Sequence, residues 1–302
     1  MGKRVSLILS LLICLGLLVP GCGLFFQAEI AVHFINVGDG DSIVVNNWMT
    51  NKAVLIDGGK IRTISSVPFY LKELAVIPRE YDSEGNGYWV LEAMISTNPE
   101  PEYVEGLIEV LNDPQIKVRS FYYSGHAAYA ENEDLQTALA NAGLEPRVLT
   151  RGDPLNIGGL KFEVLHPGQD PDSYAEVYDA SLVLRLDYGD NSILFASAIG
   201  TEAEEEMLAA DVTLAADFLK MSMNWEPVDS SEFIKAVNPL GLIFSQEEEP
   251  EELSNKARKS AQKGAKSYWT NPDPEFGHSI TIWLNKVAFR VDAPQEPFEF
   301  DF

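Results

Sequence analysis

The sequence predicts a single α/β domain, because strand-like and helical segments alternate along a chain of ordinary composition. The chain has 302 residues, of which 46% are hydrophobic and 23% are charged. A chain of this length can bury a full hydrophobic core. Apolar runs bounded by glycine-rich turns predict strands, and apolar residues at helical spacing predict helices. No internal repeat or interdomain linker divides the sequence.

The elements follow one another in two strand-rich halves. Apolar runs predict strands on both sides of the glycine-rich turn 38–42, at residues 53–56, 93–96 and 240–245, and two or three strands within residues 148–165. Helical patterns cover residues 104–111, 131–142, 201–210 and 230–237. Thr201 is the predicted N-cap of the third of these helices. From the pattern alone, only a mixed α/β class follows.

The N-terminus predicts a lipoprotein signal at residues 1–21 and an acylated Cys22. Lys3 and Arg4 precede an apolar stretch, which a Pro-Gly pair joins to Cys22. This layout resembles the bacterial lipobox. The apolar stretch has about 15 residues, whereas a membrane-spanning helix needs ~20. We therefore expect anchorage through acyl chains on the outer face of a bacterial membrane, in the cell envelope.

The predicted boundaries are a short tether at residues 22–29, a domain at 30–292 and an acidic, aromatic tail at 293–302. Cys14 leaves with the signal, so the mature domain has no free thiol. The formal net charge is −24, and loss of Lys3 and Arg4 makes it two units more negative. Such a surface repels phosphate backbones, which argues against a nucleic-acid ligand. The expected partners are the membrane, through Cys22, and a protein or small molecule that the sequence does not name.

Short motifs in a fixed order suggest a family. They include Phe-Ile-Asn-Val-Gly-Asp-Gly-Asp-Ser at residues 34–42, Leu-Ile-Asp-Gly-Gly at 55–59, Val-Leu-His-Pro at 164–167 and Gly-Ala-Lys-Ser-Tyr-Trp-Thr at 264–270. Their order resembles the metallo-β-lactamase superfamily, most closely the soluble domain of the competence (ComEC-type) DNA-uptake proteins. The resemblance implies a four-layer α-β-β-α sandwich for residues 30–292.

The same resemblance implies a dinuclear zinc hydrolase, but its ligand positions are not kept. Against the family's Thr-His-x-His-x-Asp-His loop, this chain retains Thr97 and has Asn98, Glu100, Glu102 and Tyr103 at the ligand positions. The family's bridging aspartate falls on Ala198, and its His-His-Gly-Ser turn, which follows a Leu-Lys pair, falls on the segment with Met223, Asn224 and Trp225. His126 and His166 are candidates for the remaining ligand. Zinc needs several imidazole or thiolate donors, so zinc is not expected.

A second interpretation keeps a metal and changes its identity. Asp57, Asn98, Glu100 and Glu102 carry oxygen donors, joined by Asp39 or Asp179, and a hard divalent cation accepts such ligands. Pro99 and Pro101 would hold this loop extended. The other interpretation is that these acids are solvated on the surface of an acidic protein.

Three functions remain open from the sequence. The first is a binding or scaffolding module with an inherited pocket at Asp39, Asp57, Asn98, Glu100, Glu102, Tyr103, Asp179, Ala198, Met223, Asn224 and Trp225. There Tyr103 and Trp225 would stack on a flat ligand. The second is an atypical, phosphodiesterase-like hydrolase that uses a hard divalent cation, with Glu100 or Glu102 as the base. The third is an ordinary hydrolase whose metal ligands are other residues.

Overall fold

The computed structural model describes residues 26–38, 40–60, 66–74, 76–221, 231–246, 251–270 and 279–293. The strands are β1 (Ile30–Phe34), β2 (Ile43–Asn47), β3 (Lys52–Ile56), β4 (Arg79–Tyr81), β5 (Gly87–Leu91), β6 (Ala93–Ser96), β7 (Ile116–Val118), β8 (Phe121–Tyr123), β9 (Arg147–Val148), β10 (Pro154–Ile157), β11 (Leu160–His166), β12 (Val183–Tyr188), β13 (Asn191–Phe195), β14 (Phe218–Lys220), β15 (Gly241–Phe244), β16 (Lys266–Trp269), β17 (Ile280–Leu284) and β18 (Phe289–Asp292). The α-helices are α1 (Val67–Glu73), α2 (Pro101–Asn112), α3 (Ala128–Glu131), α4 (Glu133–Ala142), α5 (Thr201–Ala209), α6 (Ser231–Val237) and α7 (Glu251–Ser260).

Two large sheets organise the described residues. The first has the strand order β18-β17-β1-β2-β3-β6-β8-β9, and the second has the order β10-β11-β12-β13-β14-β15-β16. Strands β4, β5 and β7 form a third, small sheet. In each large sheet, antiparallel hairpins on one side give way to parallel strands on the other. Parallel pairs need a crossover, and helices provide it in both sheets.

The two large sheets pack face to face on a shared apolar core. Val32, Val45 and Ile56 from the first sheet lie in one buried cluster with Leu184 and Ile193 from the second. The adjacent residues on the first sheet's strands, such as Val44 and Leu55, belong to a different buried cluster on the outer face. Apolar residues therefore occupy both faces of these strands, as expected for sheets covered on both sides.

Helices cover the outer face of each sheet. Apolar residues of α1, α2 and α4 complete the cluster outside the first sheet. Apolar residues of α5, α6 and α7 complete the corresponding cluster outside the second sheet. The layers are thus helix, sheet, sheet and helix, which confirms the predicted four-layer α-β-β-α sandwich.

Two local predictions were wrong. Helix α2 begins at Pro101 with Glu100 as its N-cap, so Glu102 and Tyr103 lie in the first helical turn and not in an extended loop. Proline suits this first position, because its missing N–H has no partner inside the helix. Helix α5 has Gly200 as its N-cap, and Thr201 is its first helical residue.

Several predicted segments lie outside the described residues. These are the signal at 1–21, Cys22 with the tether to residue 25, Asp39, the segment with Met223, Asn224 and Trp225, and the tail from 294 onward. The domain boundaries stay predictions. Among the helices of the described residues, none combines the length and the apolar character needed to cross a bilayer.

Phe195→Ala should destabilise the fold by about 3–5 kcal/mol, because truncating a fully buried aromatic ring leaves a cavity. The Phe195 ring lies between the sheets, 6.3 Å from the ring centroid of Phe34 on the opposite sheet. Urea unfolding of the two proteins measures the difference. Phe69→Ala is the matched control, since Phe69 is 60% exposed and its loss should change the unfolding free energy by about 0.5 kcal/mol or less. Equal effects of the two substitutions would contradict the placement of Phe195.

Candidate functional site

The candidate site lies where the two large sheets meet, at the ends of β3, β6 and β13. Asp57 directly follows β3, Thr97 directly follows β6, and Ser197 comes two residues after β13. All three side chains are buried. Asp57 and Ser197 both have a positive φ, +56° and +52°, a backbone conformation that non-glycine residues rarely adopt. Such strain often marks functional sites.

Thr97 joins the two halves of the molecule at this point. Its backbone N–H donates to Asp57 Oδ1 at 2.7 Å, and its hydroxyl donates to Asp57 Oδ2 at 2.6 Å. The same hydroxyl forms a short contact with the hydroxyl of Ser197, which lies in the segment after β13 of the second sheet. The Thr97 carbonyl accepts from the backbone N–H of Leu182 at 2.9 Å. One residue of the first half therefore bonds to two segments of the second.

The Asp57 carboxyl is held away from water. Burial raises the pKa of Asp57 well above its usual 3.8, and the hydrogen bonds from Thr97 oppose only part of that rise. The negative charge of Asp41 raises the pKa further, and the positive charge of Lys220 lowers it. Burial and the nearby charge of Asp41 therefore keep the Asp57 carboxyl neutral over a wider pH range than an aspartate exposed to water.

A buried ion pair lies beside this carboxyl. Lys220, the last residue of β14, donates to Asp41 Oδ2, and both side chains are almost fully buried. The other oxygen of Asp41 has no hydrogen-bond partner among the described residues. Both residues match motifs that the resembled family also keeps, the Gly-Asp-Ser turn and the Leu-Lys pair. The ion pair therefore places one buried positive and one buried negative charge beside Asp57.

Asn98 is fully buried and is used to shape the backbone. Its side-chain oxygen accepts from the backbone N–H of Glu100 at 2.9 Å. Its amide donates to the Ser181 hydroxyl at 2.9 Å and to the Val177 carbonyl at 3.2 Å. These bonds hold the turn that leads into α2. Asn98 therefore acts as a structural link between the two halves.

Tyr103 and Glu102 face different surroundings on the first turn of α2. The Tyr103 side chain is only 4% exposed. Burial raises the pKa of Tyr103 well above its usual 10, and the charges of Asp41 and Asp57 add to the rise. These surroundings favour the protonated phenol, which is a poor metal ligand, and burial leaves no open stacking surface on the ring. Glu102 is partly exposed and forms an ion pair with Lys60 at 3.0 Å.

The remaining predicted pocket residues separate into structural roles. Ala198 is fully buried. Asp179 Oδ1 accepts from the backbone N–H groups of Gly200 and Ala203, both at 3.0 Å. It thereby caps the N-terminus of α5, where an anionic group is favoured. Glu100 precedes α2 as its N-cap without a side-chain capping bond. Asp39, Met223, Asn224 and Trp225 lie outside the described residues.

The two candidate histidines contact groups on other segments, although His166 Nε2 has no hydrogen-bond partner among the described residues. His166 is fully buried, and its Nδ1 lies 2.7 Å from the Ser181 carbonyl. That nitrogen donates, because a carbonyl oxygen only accepts. Its Nε2 lies 3.6 Å from Glu206, which Arg151 and Tyr174 also contact. His126 lies 3.7 Å from Asp172.

The zinc centre implied by the resemblance does not fit these residues. Ala198 has no donor atom, Tyr103 keeps its proton, and the amide of Asn98 is committed to three protein groups. Within the described ranges, no three side chains of the histidine, cysteine, aspartate and glutamate types gather as a metal site requires. The expectation of no zinc stays a prediction, as does the set of pocket residues.

Sequence reasoning missed the polar contacts that hold this region together. The motifs indicate Thr97 only as a kept position, and they point to neither Ser197 nor Ser181. Asp41 lies in the Gly-Asp-Ser turn and Lys220 in the Leu-Lys pair, but 179 residues separate them. Their charges and apolar neighbours were the available signal, since a buried charge needs a partner.

Comparison with known proteins decides the fold. The solved structure of YhfI from Bacillus subtilis, a metallo-β-lactamase-fold protein, matches with a TM-score of 0.51 and 11% identity over 80% of this chain and 97% of that one. The chain has the metallo-β-lactamase fold. Igni18, a metallo hydrolase of the archaeon Ignicoccus hospitalis, also matches the chain. Its TM-score is 0.53, with 13% identity over 85% of this chain and 99% of Igni18. At these identities the likeness shows the fold alone.

A sequence relative supports the competence-type resemblance. ComE operon protein 3 of Bacillus subtilis is 29% identical over 227 residues, which is 72% of this chain and 28% of that protein. The chain therefore corresponds to less than a third of the relative's length. No family model matches the sequence. The resemblance predicted from the ordered motifs is confirmed.

Thr97→Val should destabilise this metallo-β-lactamase-fold protein by about 1–3 kcal/mol, because a buried carboxyl and the Ser197 hydroxyl both lose a hydrogen-bond partner. Valine keeps the shape of threonine, so the substitution tests the hydroxyl group alone. Denaturant unfolding at neutral pH gives the difference. Thr97→Ser keeps the hydroxyl and is the control. If Thr97→Ser loses stability and Thr97→Val does not, the methyl group and not the hydroxyl holds the junction.

The raised pKa of Asp57 sets the sign of a pH effect. A carboxyl whose folded pKa exceeds its unfolded pKa contributes its stability in full below the usual value near 3.8. That contribution is lost as the pH rises through the folded pKa. Asp57→Asn is neutral at every pH, and asparagine tolerates a positive φ. Its stability relative to the parent should therefore increase as the pH rises through this range, as measured by urea unfolding at several pH values. Parallel pH profiles for the two proteins would contradict the raised pKa.

Proposed function

We propose that this metallo-β-lactamase-fold protein is a lipid-anchored binding or scaffolding module of the bacterial cell envelope and does not operate a dinuclear zinc hydrolase. The observation that carries the proposal is the buried methyl group of Ala198. It follows β13, at the position where the resembled family has the carboxylate that bridges two metal ions. A two-metal hydrolase needs a bridging ligand and a metal-bound water. A methyl group supplies neither.

The neighbouring polar groups support the same conclusion. The carboxyl oxygens of Asp57 accept two hydrogen bonds from Thr97, at 2.7 Å and 2.6 Å. A hydroxyl and a backbone N–H thus satisfy a side chain that would otherwise be available to support a metal ligand. Asn98 is likewise bonded within the protein. Internal hydrogen bonds to Asp57 and Asn98 thus support a site that is held together without a metal ion.

The polar groups at the start of α2 are the best candidates for ligand contacts. The carboxylate of Glu102 and the ammonium of Lys60 are partly exposed and form an ion pair. Glu100 is also partly exposed at the N-terminus of the same helix. Such groups orient a ligand, while the apolar interior behind them excludes water. A binding module that retains the fold but not the metal ligands uses these groups for recognition.

The compartment and the anchor rest on the N-terminal sequence. Lys3 and Arg4, the apolar stretch and Cys22 form a lipobox-like signal. The acidic composition of the chain supports a partner other than nucleic acid, because cationic side chains supply most of that affinity.

The domain produced without residues 1 to 22 should contain no stoichiometric zinc after purification and should not hydrolyse phosphodiesters with zinc, magnesium or manganese. The reason is the donor set: one neutral phenol, one bonded amide and one methyl group replace imidazoles and a carboxylate. Elemental analysis combined with a phosphodiesterase assay in each metal checks both expectations.

Glu100→Ala distinguishes the alternatives. Bound metal together with turnover that disappears in Glu100→Ala would overturn the binding module in favour of the atypical hydrolase with oxygen ligands. Turnover that persists in Glu100→Ala and in Glu102→Ala would point to an ordinary hydrolase with other ligands. Glu163→Ala, in the middle of β11, is the matched control for removing a partly exposed acid elsewhere.

A further inference from the structure

The N-terminal chain enters the domain at the end of the sandwich opposite the candidate site. Ile30 at the start of β1 pairs with Asn47 at the end of β2, and Asn47 pairs with Lys52 at the start of β3. At the other end of the same strands, Phe34 pairs with Ile43, and Ile43 pairs with Ile56. Asp57 follows Ile56 there. Strands of five residues separate the two ends by about 13 Å of β-structure.

Backbone hydrogen bonds fix the entry point at this far end. The backbone N–H of Glu29 donates to the carbonyl of Leu284 at 2.7 Å, and that of Trp48 donates to the carbonyl of Glu29 at 3.0 Å. The ring of Phe26 lies 4.6 Å from the guanidinium of Arg290. The chain is therefore held against the sheet from its first described residue.

Exposed apolar side chains occupy turns at this end of the sandwich. Trp48 is 47% exposed and Met49 is 66% exposed, and both lie in the β2–β3 turn. The ring centroid of Trp48 lies 5.2 Å from that of Trp283 near the end of β17. Val287, in the β17–β18 turn, is 72% exposed. We call Trp48, Met49 and Val287 the entry-side patch.

The length of chain before Phe26 determines what the patch can reach. Four peptide units join Cys22 to Phe26, and they span at most about 14 Å even when fully extended. An acyl group on Cys22 would therefore keep the entry side of the domain within that distance of the bilayer surface. The candidate site, beyond the far ends of the strands, would lie farther away.

We infer that the entry-side patch rests on the lipid bilayer, so that the domain stands on the membrane with its candidate site facing outward. This inference depends on the lipid anchor of the proposed function. Tryptophan is suited to the contact, because its ring is amphipathic and is enriched at membrane–water interfaces. The occupant is the apolar-to-polar boundary of the bilayer rather than its charged headgroups, since an acidic protein gains little from anionic lipid.

A stable orientation on the membrane requires both the acyl chains on Cys22 and the entry-side patch. Three apolar side chains contribute only a few kcal/mol, at ~25 cal/mol per Å² of apolar area buried, which does not hold a free protein on a membrane. The acyl chains attach the protein to the membrane and keep the patch close to the bilayer surface, so the second contact forms within one tethered molecule. A weak contact is then sufficient to set the orientation.

The test uses the full chain, produced with its signal in a bacterium that processes lipoproteins, and single cysteines labelled with a polarity-sensitive thiol dye. Met49→Cys and Val287→Cys place the dye in the patch. Pro101→Cys places it at the candidate site, where the side chain is exposed, and is the matched control. The labelled proteins are incorporated into phosphatidylcholine–phosphatidylglycerol vesicles. The dye at Met49→Cys and Val287→Cys should shift its emission to shorter wavelength by more than 10 nm, as expected on transfer from water to the bilayer interface, and the dye at Pro101→Cys should not shift.

The parent chain separates failure of the anchor from failure of the orientation. If Cys22 is acylated, the parent protein does not take up the dye and its N-terminal peptide has the mass of a lipidated cysteine. An acylated protein whose patch labels show no shift, or whose three labels shift equally, overturns the orientation and leaves the anchor intact. A dye-reactive Cys22 overturns both. A shift that grows with the protein-to-lipid ratio assigns the patch to a second copy of the chain and overturns the bilayer contact.

Discussion

The carboxyl group of Asp57 is buried between the two halves of the molecule, and much of the surrounding structure depends on how it is satisfied. Thr97 provides two hydrogen bonds to it and, through the same hydroxyl, contacts Ser197 of the second sheet. A buried polar group without a partner costs several times what a satisfied bond contributes. The ends of the two sheets are therefore held in one relative position by a requirement for hydrogen bonding as well as by apolar packing.

This requirement also explains the backbone at the site. Asp57 and Ser197 keep left-handed conformations, which side chains other than glycine adopt at a cost. Their hydrogen bonds to Thr97 offset that cost. The left-handed conformations allow side chains that follow strands of two different sheets to meet at one point. Here Asp57 and Ser197 direct their side chains to the same Thr97 hydroxyl, so hydrogen bonds join the segment after β13 to the segments after β3 and β6.

Local strand and helix signals predicted only a mixed α/β class, and the layer order followed from the resemblance that the ordered motifs carry. The start of α2 could not be placed from proline alone, since Pro101 fits both an extended loop and the first position of a helix. The site was predicted only as a group of positions. Asp41 and Lys220 are 179 residues apart, and Asp179 caps a helix more than twenty residues later in the chain. Such contacts depend on tertiary packing, which no short pattern records.

The approach of α2 to the turn after β3 has a consequence for how such a protein changes over time. A Cβ atom on Gly106 would lie 1.9 Å from the carbonyl oxygen of Gly58, and one on Gly58 would lie 2.1 Å from the backbone nitrogen of Leu107. The backbone of α2 therefore lies directly against the backbone of the turn after β3, in addition to the bonds that Asn98 makes before the helix. Partly exposed side chains on the first turn of α2, such as Glu102, can then be exchanged by mutation while this backbone contact stays in place. Fold and chemistry are inherited separately, and a lineage can lose one reaction and acquire another role without passing through an unfolded ancestor.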